Sequence, residues 1–392
     1  MKQIGIGLLG AGWMGELHTD AYKRVLVHFP SLGVEPRLVI ASDHTPERAA
    51  AARDRLGYEE ATTDWREVLA HPDVDAVSIA TPNFMHREMA LAAAAAGKHF
   101  WGEKPLGRFP AETAEIAAAA ERAGVMTTVG FNYRHAPVVQ HARDLIASGE
   151  LGEITHYRGF FLSDYASHPL GALSWRFSRE LAGLGVLGDL MSHAVDMAHY
   201  LIGPIARVSA QRSTIITQRP KLPMGAGTHF SIVEGGELAR VENEDAASSL
   251  IQFESGLRAT LEASRVCVGP HARMGFEVHG TEGALSWSFQ RLNELERYRN
   301  GSDPGYATVM ASPEHPDFAS FQPGVGNSMG FSDLKVIEAK RFLDSIRDGV
   351  AIAPSAADAH ASARVIDAMV RSADGEGWAE VEEIVMPAVG RA

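Results

Sequence analysis

The feature that most constrains this chain is an apolar run, Ile4-Gly5-Ile6-Gly7-Leu8-Leu9, that passes directly into Gly10-Ala11-Gly12-Trp13-Met14-Gly15. An uninterrupted apolar run of this length reads as a strand buried on both faces. The glycines suit a tight turn, a close approach of backbone to a pyrophosphate, and close packing of the next helix on the strand. That helix runs through Tyr22 to Phe29, and its free amides and dipole would favour an anion. Strand, turn and helix in this order predict dinucleotide binding, with Gly10, Gly12, Trp13, Met14 and Gly15 at the cofactor. A second glycine run, Gly183-Leu184-Gly185-Val186-Leu187-Gly188, follows no apolar strand and reads as a flexible loop.

The alternation continues. A strand over Arg37–Ser42 ends in Asp43, whose carboxylate would accept the ribose hydroxyls and repel a 2′-phosphate, favouring NAD over NADP. Asp43 lies further along than the roughly 20 residues usual for this role. The stretch from His28 to Pro36 reads as an elongated connection that accounts for the excess. Asp43 could instead cap the helix that starts near Pro46 and runs to Leu56. A short helix near Asp64–Leu69 and a strand over Ala76–Ala80 follow. Thr81-Pro82-Asn83 closes that strand, and Asn83 would cap the helix running to Ala96. A strand His99–Trp101, a helix Ala111–Ala123 and a strand Val125–Val129 complete a parallel, doubly wound sheet. Ligands of such sheets lie at the carboxyl ends of the strands. There the chain places Gly10–Gly15, Asp43, Thr81–Asn83 and Glu103-Lys104-Pro105.

After Phe131 the pattern changes, which divides the chain into a dinucleotide-binding unit over residues 1–131 and a substrate-binding and oligomerisation unit over 132–392. The second opens with a helix over Pro137–Ala147 and a strand over Ile154–Leu162. Extended segments are expected at Val208–Thr217, Ser248–Phe253, Leu257–Ala263, Gly275–His279, Ala284–Phe289 and Glu294–Tyr298. They read as a large, mostly antiparallel open sheet in an α/β unit. Arg219 to Gly236 and Gly301 to Gly330 read as long loops, and helices Phe331–Arg347 and Ala356–Ser372 close the chain. The open sheet must cover its outer face, which suggests a homodimer or homotetramer.

The formal net charge of −13 opposes a nucleic-acid or anionic membrane surface as partner. A single cysteine, Cys267, fits a reducing, cytoplasmic compartment. No apolar run reaches the ~18 residues needed to span a bilayer, and the N-terminus has no cleavage region of a signal peptide.

Asp189 and His193 are four apart on a helix expected over Gly188–Leu201, and so share a face. They read in three ways: a capping aspartate below a satisfied core histidine, two ligands of a zinc ion, or an acid–base pair. The zinc reading lacks a third ligand, so no metal is expected. Dehydrogenation of a secondary alcohol needs a base for the hydroxyl proton and a positive group for the developing alkoxide. His193 and Lys104 would supply them in either assignment, with Asp189 orienting the histidine or binding a neighbouring hydroxyl. Lys104 read alone is a surface-loop lysine.

These motifs together, Gly10–Gly15, Thr81-Pro82-Asn83 with His86, Glu103-Lys104-Pro105 and Asp189-xxx-His193, resemble the Gfo/Idh/MocA oxidoreductases along essentially the whole chain. The resemblance implies an N-terminal Rossmann domain, a C-terminal α/β domain, and NAD(P)-dependent oxidation of a sugar or cyclitol. It implies Lys104, Asp189 and His193 as the catalytic set, and Thr81, Pro82, Asn83, His86 and Glu103 at the cofactor. The stretches Gly130–Arg134 and Leu173–Phe177 look most like members that oxidise anhydrosugars such as levoglucosan, with myo- or scyllo-inositol as the competing substrate. Tyr133, Arg134, Asp164, Trp175 and Arg176 are then the expected sugar contacts; otherwise they are core aromatics and surface charges. Rival readings are a non-catalytic dinucleotide and sugar sensor, and a glycosidase that retains its NAD.

Overall fold

The N-terminal apolar run forms β1 (Lys2–Leu9), whose last six residues are buried. The computed structural model describes residues 1–222 and 230–384. After β1 come α1 (Trp13–His28), β2 (Val34–Ser42), α2 (Pro46–Leu56), β3 (Glu60–Thr62) and α3 (Trp65–Ala70). Then follow β4 (Ala76–Ile79), α4 (Asn83–Ala95), β5 (His99–Gly102), α5 (Pro110–Ala123) and β6 (Thr127–Val129). The six strands are parallel, in the order β3-β2-β1-β4-β5-β6. The order reverses between β1 and β4, which opens a crevice at their carboxyl ends.

The rest of the chain starts with α6 (Pro137–Ala147), β7 (Ile154–Ser163), α7 (Arg179–Ala182) and α8 (Ser192–Leu201). It continues through β8 (Ile205–Ser213), β9 (Gln218–Pro220), β10 (Leu238–Arg240), β11 (Ala246–Phe253), β12 (Arg258–Ser264) and β13 (Ala272–Gly280). Last come β14 (Gly283–Ser288), β15 (Glu294–Arg299), β16 (Ala307–Met310), α9 (Phe331–Asp348), α10 (Ala356–Arg371) and β17 (Trp378–Glu380). Nine strands form one open sheet in the order β16-β15-β14-β13-β7-β12-β11-β8-β17. Every junction is antiparallel except β7 with β12. The alternating burial of β11 shows one face turned to the core. The last two long helices return to the first sheet: α9 packs on α1, and α10 on α5.

Several local expectations are corrected. Asp43 does not cap α2; Thr45 does, with its side chain accepting the Arg48 amide. Asn83 is the first residue of α4 rather than its cap, a position held by Pro82. The glycine run Gly183–Gly188 is no flexible loop. Leu184, Val186 and Leu187 are buried, and the Val186 amide donates to Glu244 O at 3.0 Å. The helix expected from Gly188 opens instead as a wide i→i+5 turn over Leu187–Met191 before α8, and Asp189 lies in that turn rather than at a cap. The expected loop from Gly301 to Gly330 contains β16. The loop expected from Arg219 to Gly236 begins inside β9, and its residues 223–229 lie outside the described residues. Short strands pairing at a sheet edge carry too few residues for alternation to show.

Candidate active site at the crevice of the parallel sheet

Residues of the glycine turn fit a dinucleotide phosphate. Gly10 has φ 94°, and its Cβ position would lie 2.9 Å from the Thr81 side chain. A Cβ on Gly15 would lie 2.1 Å from Gly10 O, so α1 packs on β1 at a distance that only glycine allows. A Cβ on Gly12 would meet nothing, because this residue faces the open crevice at the N-terminus of α1. No side chain caps that terminus, so its amides are available to an anion. Trp13 and Met14 begin α1, with Trp13 exposed and its ring stacked 5.9 Å from Phe331.

At the end of β2, Asp43 is buried, and its Oδ2 accepts the Ala11 amide at 3.0 Å. Its Oδ1 accepts from Arg48 Nε at 2.8 Å and from the His44 amide at 2.8 Å. Burial alone would raise the carboxyl's pKa, but the Arg48 and Ala11 bonds outweigh it and hold it below the ordinary value. A fixed carboxylate here suits the paired hydroxyls of a ribose. At the end of β4, the ring of His86 lies 2.8 Å from Thr81 O and 2.9 Å from Pro105 O. It is therefore a strut between the two strand-end loops. The Asn83 amide reaches Ala182 O at 3.2 Å and ties α4 to α7.

Past β5, Lys104 points across the crevice. Its Nζ donates to Asp189 Oδ1 at 2.7 Å and to the Asp189 carbonyl at 3.0 Å. Tyr165 donates its hydroxyl to Asp189 Oδ2 at 2.8 Å, and Arg176 stands 4.0 Å from Oδ1. Burial opposes ionisation of Asp189, but the charges of Lys104 and then Arg176 hold its carboxyl well below the usual range. His193 is buried among Phe131, Tyr133 and Phe161, with ring centroids at 5.7, 4.8 and 5.7 Å. Burial and then the Lys104 charge push its pKa well below 6.5, so it is a neutral imidazole at neutral pH. The hydrogen bonds of the Asp189 carboxylate go to Lys104 and Tyr165 rather than to His193.

Of the expected sugar contacts, Arg176 reaches this centre, and its guanidinium covers the Trp175 ring at 4.5 Å. Tyr133 lies against His193. Arg134 is turned away: it is buried in an ion pair with Asp196 and stands 3.4 Å from Asp358. Asp164 pairs with His271 at 2.7 Å. One residue that sequence reasoning missed is Tyr165, one position beyond Asp164. Its signal was a tyrosine just after a buried strand end, because a buried phenol requires a hydrogen-bond partner. Among the described residues there is no group of three or more His, Cys, Asp and Glu disposed to hold a metal ion. Nor, among them, is any helix long and apolar enough to cross a membrane.

Residues 4–131 match the protein-family model for the oxidoreductase family with an NAD-binding Rossmann fold, and residues 139–286 match the Gfo/Idh/MocA C-terminal domain. Levoglucosan dehydrogenase of Pseudarthrobacter phenanthrenivorans is 39% identical over 98% of this chain and 100% of its own. A solved structure of levoglucosan dehydrogenase in complex with NADH and levoglucosan superimposes with a TM-score of 0.91. It is 36% identical and covers 97% of this chain and 100% of its own. The scyllo-inositol 2-dehydrogenase (NAD(+)) of Bacillus subtilis is 30% identical over 72% of this chain and 73% of its own.

Proposed function

The chain belongs to the Gfo/Idh/MocA oxidoreductase family, and from that premise we propose that it oxidises a secondary hydroxyl of an anhydrosugar of the levoglucosan kind to the ketone, with NAD. The observation that carries the proposal is the Lys104–Asp189 pair at the crevice edge, beside a histidine held neutral. Full-length similarity to levoglucosan dehydrogenase supports the substrate class. Gly10–Gly15 would hold the phosphates and Asp43 the adenosine ribose. NAD, when bound, supplies the hydride acceptor.

The proton chemistry falls to this chain's own groups. His193 Nε2 or Nδ1, neutral and shielded by three aromatic rings, accepts the hydroxyl proton. Lys104 uses two N–H donors on Asp189 and keeps its third for the developing alkoxide. Asp189 stays ionised throughout: its task is to fix the ammonium, not to carry the proton. Arg176 and Trp175 would offer hydrogen bonding and a stacking face to the sugar. The lone Cys267 and the exposed Leu250 on the outer face of the large sheet support a cytoplasmic homodimer or homotetramer.

The test is formation of reduced nicotinamide with NAD or NADP across levoglucosan, the inositols, glucose, xylose and galactose. Turnover with NAD, greatest on levoglucosan, is expected. In Lys104→Met, NAD binding is expected to survive while kcat falls by roughly two orders of magnitude or more. Silence across the panel with NAD bound would sink the proposal, and normal turnover in the variant would remove Lys104 from it.

A further inference from the structure

Lys335 lies in α9, more than two hundred residues after Lys104 in the chain, and its side chain is only 1% exposed. A lysine this deep needs anionic partners. Its Nζ donates to Glu103 Oε1 at 2.7 Å and stands 2.9 Å from Glu338 Oε2 and 5.4 Å from the Trp101 ring centre. The same Glu103 oxygen lies 3.0 Å from His18 Nε2, and His18 stacks on Trp101 with centroids 3.6 Å apart. The other carboxylate oxygen accepts the backbone N–H of Lys104 at 3.3 Å. Glu103 has little room to turn, because a Cβ on Gly130 would lie 2.5 Å from its Oε2. The carboxylate expected at the cofactor is thus a buried junction of three segments: α1 through His18, α9 through Lys335, and the strand end that carries Lys104.

We infer that Lys335 is a positioning residue for the Lys104 centre: its ammonium holds the Glu103 carboxylate, and that carboxylate holds the Lys104 main chain against α1. The inference rests on the assignment of Lys104 to catalysis. It also has an electrostatic consequence. The groups that face Lys335 are Glu103, Glu338, His18 and His135, with Arg134 acting on Glu338. His193 is acted on by Lys104, Asp189, Glu103 and Lys335. The Lys335 charge is the smallest of the charges acting on His193 and lowers its proton affinity, so removing it is expected to raise that affinity.

The experiment compares Lys335→Met and Lys335→Arg with the wild type by crystallography, NAD binding and the pH profile of kcat/KM. In Lys335→Met the Glu103–Lys104 contact is expected to open and NAD affinity to stay within about threefold, with kcat lowered roughly tenfold or more. The acidic limb of kcat/KM is expected to move to higher pH. Lys335→Arg, which keeps the charge on a planar and longer group, should leave the limb in place while still lowering kcat. A folded Lys335→Met with wild-type kcat and an unmoved limb overturns the inference. So does activity lost only in proportion to unfolded protein. If Lys335→Met does not fold, wild-type kcat in Lys335→Arg overturns it, and a lowered kcat with the limb in place supports it. Failure of the Lys104 assignment shows separately, as normal turnover in Lys104→Met. The crystal structure reads the Glu103–Lys104 contact without any turnover at all.

Discussion

Tyr165 fastens one oxygen of Asp189 while Lys104 holds the other, so the carboxylate has no freedom to rotate. An aspartate with one free oxygen could swing its lysine partner away from the substrate. A hydrogen bond to a charged acceptor contributes about 1.5–3 kcal/mol. Tyr165→Phe is therefore expected to lower kcat by roughly tenfold to a hundredfold, with NAD affinity unchanged because the phenol bonds Asp189 and none of the residues expected at the dinucleotide. Steady-state kinetics against sugar and NAD separately would show it, and an unchanged kcat would leave the hydroxyl a packing feature. The juxtaposition of Lys104 with Asp189 was legible because Lys104 follows a strand end, Asp189 and His193 stand four apart, and the family resemblance joins the two motifs. Tyr165 and Lys335 were not, since the partners that tie them to the site, Asp189 and Glu103, are remote in sequence. Lys335 and Glu338 look like a solvated i, i+3 pair, and only their place beside Leu334 and Phe342 on the buried stripe of α9 hinted otherwise.

Some elements were read almost to the residue: α2, α6 and β14 stand where the sequence put them, whereas β13 begins three residues earlier than expected. The misreadings arose where tertiary packing overrides local pattern. Gly183–Gly188 looks loose by composition, yet it is pinned under Glu244 and opens the wide turn that aims Asp189 at Lys104. Asp43 looked able to cap α2, but Thr45 took that place and left the carboxylate at the end of β2 for the crevice. This junction of β2 and α2 also decides which dinucleotide fits. Arg48, in the first turn of α2, is half exposed and neutralised by Asp43. Asp43→Ala would free that guanidinium for a 2′-phosphate while removing the acceptor for the ribose hydroxyls. The ratio of kcat/KM for NADP over NAD is expected to rise by about tenfold or more. An unchanged ratio would show that the pair does not read the ribose.

The molecule closes on itself where α9 packs on α1 and α10 packs on α5 and α8, and buried histidines lie on α1 and α8. Burial holds His18 and His199 down to about 4, and it pushes His135 and His193 well below their ordinary value. Below pH 6.5 the unfolded chain protonates all four, whereas the folded chain leaves them neutral until far lower pH. The unfolded state then binds more protons, so stability present above pH 6.5 is lost as the pH falls. Two buried acids act in the opposite sense: burial raises Asp196 to about 6 and Glu338 to about 7. Their protonated forms favour the folded state at low pH, and that contribution is lost as pH rises through those values. Between pH 4.5 and 6 these four histidines alone outnumber the two acids, and burial lowers His86, His99, His141 and His315 in the same sense. Each proton of difference is worth about 1.4 kcal/mol per pH unit, so the slope is set by the histidines. Calorimetric scans at pH 7, 6 and 5 are expected to show a melting temperature that falls with each step. A melting temperature that holds or rises towards pH 5 would mean that the histidines carry protons in the folded state. An NMR titration of the His193 ring then decides whether it is among them, because an imidazolium at rest could not be the base that receives the substrate proton.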